Sequence, residues 1–174
     1  VKQTLAEFSG VALLVSHDRG EVYRMSSNVC VLNDGTSEPL AETAELFAHP
    51  RTLQSALITG CKNCVSAELL SQSVVRVPDW NATLACEATD GVRVTHVGIR
   101  AHDIVPCAEN AENALNCRVV HAEDDVFSRV LTLLPQGAAA TIRAEISREA
   151  AGAFQVGSEA WFCLPKERVM LLSE

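Results

Sequence analysis

No part of this 174-residue chain holds an apolar run near the roughly 20 residues that a membrane-crossing helix requires. The amino end also lacks the basic-then-apolar order of a secretory signal. Lys and Arg form no cluster in a chain of formal net charge −8, so the basic face that nucleic-acid phosphates require is missing and nucleic acid is not expected as a partner. A Gly-x-x-x-x-Gly-Lys-Ser/Thr loop, whose backbone N–H groups would cradle nucleotide phosphates, is absent too. Cysteine is not scarce. Cys30, Cys61, Cys64, Cys86, Cys107, Cys117 and Cys163 make an odd number without a secretory signal, which reads as reduced thiols, most of them small core residues. Only Cys61-Lys62-Asn63-Cys64 has metal or redox spacing. With no second such pair and no helix opening after a strand at that point, no metal site is expected there, and His96 and His102 read as surface residues rather than added ligands.

The organising stretch is Val11-Ala12-Leu13-Leu14-Val15-Ser16-His17-Asp18-Arg19-Gly20-Glu21. Five apolar residues without alternation predict a strand buried on both faces, with Ser16, His17 and Asp18 just past its carboxyl end, where open α/β sheets place ligand chemistry. Asp18 followed by Glu21 fits a capping box and predicts a helix from Arg19. A second strand is expected over 29–32, ended by the Asn33-Asp34-Gly35 turn, then a helix led by Ser37 that uses Leu40, Ala44 and Phe47 as one face and stops at His49-Pro50. A further short helix is expected over 52–57. From Ile58 the texture changes to short alternating strands separated by turn residues, as in a small β-barrel, with strands expected over 74–77, 82–88, 92–99, 115–121, 128–134, 139–145 and 160–164.

The residues from Val11 to Gly35 closely resemble the switch-histidine region of ATP-binding-cassette ATPases. In that family a buried strand delivers a Ser/Thr-His-Asp turn, and His17 matches the histidine that contacts the γ-phosphate of ATP and helps place the attacking water. Glu45-Leu46-Phe47-Ala48-His49-Pro50 and Thr59-Gly60-Cys61-Lys62-Asn63 look like the linker and entry strand to the accessory barrel of importer ATPases, and Val97-Gly98-Ile99-Arg100-Ala101-His102-Asp103-Ile104 is similar to that barrel's Gly-Ile-Arg motif. Further on, 113–119, 154–160 and 165–169 look like parts of the oxyanion-binding barrels of molybdate importer ATPases, with departures at Cys117 and Pro165 that weaken molybdate as the ligand.

The resemblance implies an α/β tail of a nucleotide-binding domain over 1–57 and a mostly β, OB-like (TOBE/MOP-like) regulatory barrel over 58–174. It implies a carboxyl-terminal piece of a longer importer subunit that is cytoplasmic, peripheral to the membrane through its transporter, and partnered by the membrane subunits and a second copy of itself. ATP and Mg belong to the parent protein. This chain has neither the phosphate loop, nor a Leu-Ser-Gly-Gly signature, nor an apolar strand ending in Asp-Glu, and is expected to be inactive alone. The apolar strand at 11–15, lacking sheet partners in this chain, is expected to drive self-association. The alternative is a module that captures a small oxyanion such as molybdate, tungstate or sulfate, with donors drawn from Thr59, Lys62, Ser66, Asn113, Asn116 and Arg118. Each of these has a plainer role as a turn or solvated residue, so the expectation is a barrel for regulation or dimer assembly that holds no oxyanion tightly.

Overall fold

The computed structural model describes residues 10–88, 91 and 93–174, which fall into two compact units, one ending at Pro50 and one spanning Arg51–Glu174. Among the described residues no helix is long and apolar enough to cross a membrane.

The first unit departs from expectation at its start. Residues 11–15 form no strand, and Val11, Leu13 and Val15 are 97%, 89% and 81% exposed. A single extended segment leaves its own N–H and C=O groups unpaired, and no described strand lies beside this one to take them. Helix α1 (Arg19–Met25) begins where Asp18 predicts, because the Asp18 carboxylate accepts the Glu21 N–H at 2.9 Å. The reciprocal half of the box is replaced. Glu21 does not reach back to the cap backbone but accepts the Ser16 hydroxyl at 2.7 Å. The bond from the Glu21 N–H holds the Asp18 carboxyl below its ordinary range. The cap therefore contributes fully above the unfolded carboxylate pKa and fades as the pH falls through the lowered folded value. Asp18→Ala at neutral pH and acidification of the natural sequence should both loosen α1, read as faster amide exchange at Glu21 and Val22.

Two ribbons follow: β1 (Asn28–Val29) pairs with β4 (Ala41–Glu42), and inside them β2 (Leu32–Asn33) pairs with β3 (Thr36–Ser37). Asp34 and Gly35 turn the inner hairpin at φ 47° and 78°, the left-handed pair that a tight hairpin needs. The hairpin overturns two expectations. The strand over 29–32 is split, and the helix led by Ser37 does not form there, because 36–37 and 41–42 return as strands and Leu40 is left 71% exposed. Helix α2 starts only at Thr43 (Thr43–Ala48), where the Thr43 hydroxyl bonds the Ser26 carbonyl at 2.8 Å. Tyr23 and Phe47 meet edge to face at 5.2 Å between centroids, joining α1 to α2.

The second unit opens with α3 (Leu53–Ile58), capped by Thr52 and Ser55 in a reciprocal box. It continues through β5 (Asn63–Ser66), β6 (Glu68–Ser71), β7 (Val74–Val77), β8 (Ala82–Ala85), β9 (His96–Ile99), β10 (Val105–Pro106), β11 (Ala114–Asp124), β12 (Ser128–Pro135), β13 (Ile142–Ser147), α4 (Arg148–Ala151), β14 (Glu159–Cys163) and β15 (Met170–Leu172). The strands make three antiparallel sheets in the orders β10-β14-β11-β12-β13, β15-β9-β5 and β6-β7-β8. All three contribute to one core, in which Trp80, Phe162, Leu84, Ile99, Ile104, Leu131, Leu133 and Ile142 are fully buried, so together they form a nearly closed β-barrel. Strand β13 shows why: Ile142, Ala144 and Ile146 point in while Arg143, Glu145 and Ser147 point out, the strict alternation of a half-buried strand. The strand expected over 74–77 occurs with those ends and the later ones occur with shifted ends, residue 92 of the expected 92–99 strand lying outside the described residues. The entry strand expected at 59–63 begins only at Asn63, as β5, and β6, β10 and β15 have no counterpart among the expected strands.

Candidate functional site: a cationic cavity on the barrel

Lys62 is delivered by the way α3 ends. Gly60 takes φ 101°, and the N–H groups of Gly60 and Cys61 bond the carbonyls of Leu57 (3.0 Å) and Ala56 (2.9 Å), a Schellman closure that only a left-handed residue permits. The chain is thereby thrown directly into β5. Arg100, at the end of β9, reaches back to this turn and donates to the Thr59 carbonyl at 3.1 Å and to the Thr59 hydroxyl oxygen at 3.2 Å. That hydroxyl in turn donates to the Ser55 carbonyl at 2.8 Å. Thr59, 5% exposed, is thus occupied on both sides and holds Arg100 in place instead of offering itself to a ligand.

A third element joins through Asn63. Its buried amide donates to the Ile99 carbonyl at 3.1 Å and the Arg143 carbonyl at 2.8 Å, while its oxygen accepts the Arg143 N–H at 2.7 Å. One side chain therefore ties β5 and β9 to the start of β13 and fixes the backbone from which Arg143 projects outward. The result is a surface cavity of about 250 Å³ lined by Gly60, Lys62, Arg100, Ala101, His102, Val130, Arg143 and Glu145. Glu145, opposite Val130 in the β12–β13 register, accepts the Ser128 hydroxyl at 2.8 Å. His102 lies 3.9 Å from Asp103, which also faces Arg168 at 3.6 Å.

Of the donors proposed from sequence, only Lys62 lines this cavity, with Thr59 behind it. Ser66 sits at the other end of β5, paired with His96. Asn113, at φ 55°, spends its amide on the Ala85 N–H (2.7 Å) and on the Ala85 and Leu164 carbonyls (both 2.8 Å), so it is a clasp between strands. Asn116 and Arg118 lie on β11 opposite Trp161 and Glu159. In the first unit His17 is exposed between Ser16 and the Asp18 cap. Arg100, His102 and Arg143 were not among the sequence-derived donors, although Arg100 and His102 stand inside the Gly-Ile-Arg motif.

Beside the cavity, Cys61 is buried against Gly98 and contacts the Ile99 carbonyl at 3.3 Å. A hydrogen bond from the Cys64 thiol, helped by the Arg100 charge, draws Cys61 down to about 7 against the opposing effect of burial. The same bond and burial hold Cys64 above the ordinary thiol range. All seven cysteines are unbridged, and among the described residues no three His, Cys, Asp or Glu side chains are grouped to hold a metal.

No protein-family model matches the chain. Over its whole length it is 23% identical to the Fe(3+) ions import ATP-binding protein FbpC 2 of Rhizobium meliloti (strain 1021), spanning 48% of that protein. It is 29% identical to the putrescine transport ATP-binding protein PotG of Escherichia coli (strain K12) over 62% of this chain and 30% of PotG. It is 32% identical to the spermidine/putrescine import ATP-binding protein PotA of Acidothermus cellulolyticus over 54% of this chain and 23% of PotA. The chain is a homologue of ABC importer ATP-binding subunits. The chain spans about half the length of FbpC 2 and less of the others. Its fold is like that of a solved structure of the cytoplasmic molybdate-binding protein ModG, with a TM-score of 0.55 at 15% identity over 66% of this chain and 98% of that one. The barrel of this chain thus shares the OB-like fold of that structure.

Proposed function

We infer that this chain is the carboxyl-terminal part of the ATP-hydrolysing subunit of an ABC importer, with residues 1–57 ending the nucleotide-binding domain and residues 58–174 forming a regulatory or dimerising barrel. The observation that carries this is the order of its motifs, the Ser16-His17-Asp18 turn followed by the linker and the Gly-Ile-Arg barrel, in a chain whose relatives are importer ATP-binding subunits. On this reading the parent works in the cytoplasm against the transporter's membrane subunits, and the exposed apolar residues 11–15 meet sheet neighbours in the whole domain or a second copy.

His17 then serves a nucleotide site that the residues of this chain do not complete. The chain has no glycine-rich loop to wrap phosphates and no Lys to follow it. Bound in the parent, Mg·ATP supplies the phosphoryl group to be transferred to water. His17 contributes an exposed imidazole at this turn, with Asp18 spent on capping α1 and Ser16 on Glu21, which leaves the ring as the side chain of the triplet not committed to the start of the helix. His17→Ala in the parent subunit should reduce turnover at least about tenfold with little change in ATP affinity, because a group that acts on the transition state leaves ground-state binding in place. Equal losses in affinity and turnover would refute the role. The 174-residue chain alone should give no saturable heat with Mg·ATP.

A second reading is supported by the cationic cavity together with the likeness to the ModG fold: the barrel is also a small-oxyanion module.

A further inference from the structure

We propose that the cavity between the Gly60–Lys62 turn, the end of β9 and β13 is a binding site for a tetrahedral oxyanion of charge −2, a phosphate or sulfate group, held by Lys62, Arg100 and Arg143. This deepens the second reading by naming the site and the ligand class.

The chemistry starts from charge. In a chain of net charge −8, three cations face one concavity against one carboxylate, Glu145, which is already bonded by Ser128. Lys62 and Arg143 have no ion-pair partner among the described residues. Like charges gathered around one concavity repel each other, and a shared anion relieves that repulsion more than any single surface ion pair would.

Geometry selects the anion. The three cations arrive from three separate elements: the turn after α3, the end of β9 and the start of β13. A carboxylate presents two oxygens in one plane and suits a single Arg fork, whereas a tetrahedral oxyanion presents oxygens in several directions and suits donors that converge from different sides. Two of the three donors are preset. Arg100 is anchored on Thr59, and the Arg143 backbone is anchored on Asn63, so less ordering entropy is lost on binding than for free surface side chains. The imidazole of His102 on the rim adds one further donor. At about 250 Å³ the cavity also leaves room for a substituent on one oxygen, so the anionic end of a small phosphomonoester fits the same donors.

The test is calorimetric titration of the full 174-residue chain with inorganic phosphate, sulfate, molybdate and, for contrast, acetate, at low and at physiological salt. Lys62→Gln and Arg143→Gln are the informative variants, because neither side chain makes a hydrogen bond or ion pair among the described residues and both proteins should fold, checked by circular dichroism. Saturable heat is expected with phosphate or sulfate and little with acetate. Each variant should weaken that binding roughly tenfold, the scale of one charge-assisted hydrogen bond, and added salt should weaken it further. Acetate binding as well as sulfate, or phosphate and sulfate binding unchanged in both variants, would overturn the proposal. If molybdate binding survives both variants but is lost in Arg118→Gln, this site is wrong while the oxyanion-module reading stands. No heat with any oxyanion removes both.

Discussion

Trp80→Ala is expected to destabilise the barrel by about 4 kcal/mol, the scale for deleting a fully buried aromatic. Trp80 closes a single 3₁₀ turn (Pro78–Trp80) and is 1% exposed in the core shared by all three sheets. The turn itself is pinned from outside. The Asp79 carbonyl accepts the N–H groups of Ala139 and Ala140, both at 2.9 Å, and Asn81, at φ 50°, donates to the Gln136 carbonyl at 3.1 Å. A side chain held on so short and tied a turn has little freedom to sink into the space its neighbours would leave, so the cavity term is near its full value. Its indole N–H is buried and meets no protein acceptor. Trp80→Phe therefore loses volume but no hydrogen bond and should cost only about 1–2 kcal/mol. Thermal melts of the two variants check this. Alanine should lower the midpoint by on the order of 10–15 °C, and equal losses for Ala and Phe would mean that the ring's size is not what matters.

Asn63→Ala should cost about 3 kcal/mol and also weaken anion binding at the cavity. Three hydrogen bonds disappear at once, and the Arg143 N–H and carbonyl lose their partner in a place where Asn63 is 4% exposed. Leaving buried backbone groups unsatisfied costs more than the hydrogen bonds themselves contribute. The Ile99 carbonyl still has the Cys61 thiol at 3.3 Å, which limits the loss on that side. Two measurements separate the effects: chemical denaturation reads the stability, and phosphate or sulfate titration of the still-folded fraction reads the cavity. Asn63→Ala that lowers stability while leaving anion affinity unchanged would show that the amide does not position Arg143.

How much was legible in advance differs between the two units. In the barrel, alternation is a local signal. Ile142, Ala144 and Ile146 alternate with Arg143 and Glu145, and both the strand and its buried face follow from that pattern alone. Asp18 likewise marks the start of α1 because a cap acts within three residues. The apolar run at 11–15 misleads for the opposite reason. Strand formation needs a neighbour for its backbone groups, and apolarity says that a face wants cover without saying that cover is present. The helix led by Ser37 fails because the Asp34-Gly35 turn commits the flanking residues to a ribbon before helical periodicity can act.

The sequence by itself determined the OB-like barrel class, the capped helix, the placing of His17 at an exposed turn and the kinship with importer ATPases, all carried by short-range pattern or by motif order. Only the tertiary structure decided which polar residues face one another. Asn63 and Arg143 stand 80 residues apart and are joined by two hydrogen bonds between the Asn63 amide and the Arg143 backbone. Arg100 is set by Thr59, 41 residues before it. Thr59 and Asn113, proposed as ligand donors, turned out to be spent on the fold, since whether a hydroxyl or an amide is available depends on what the closed barrel brings within its reach.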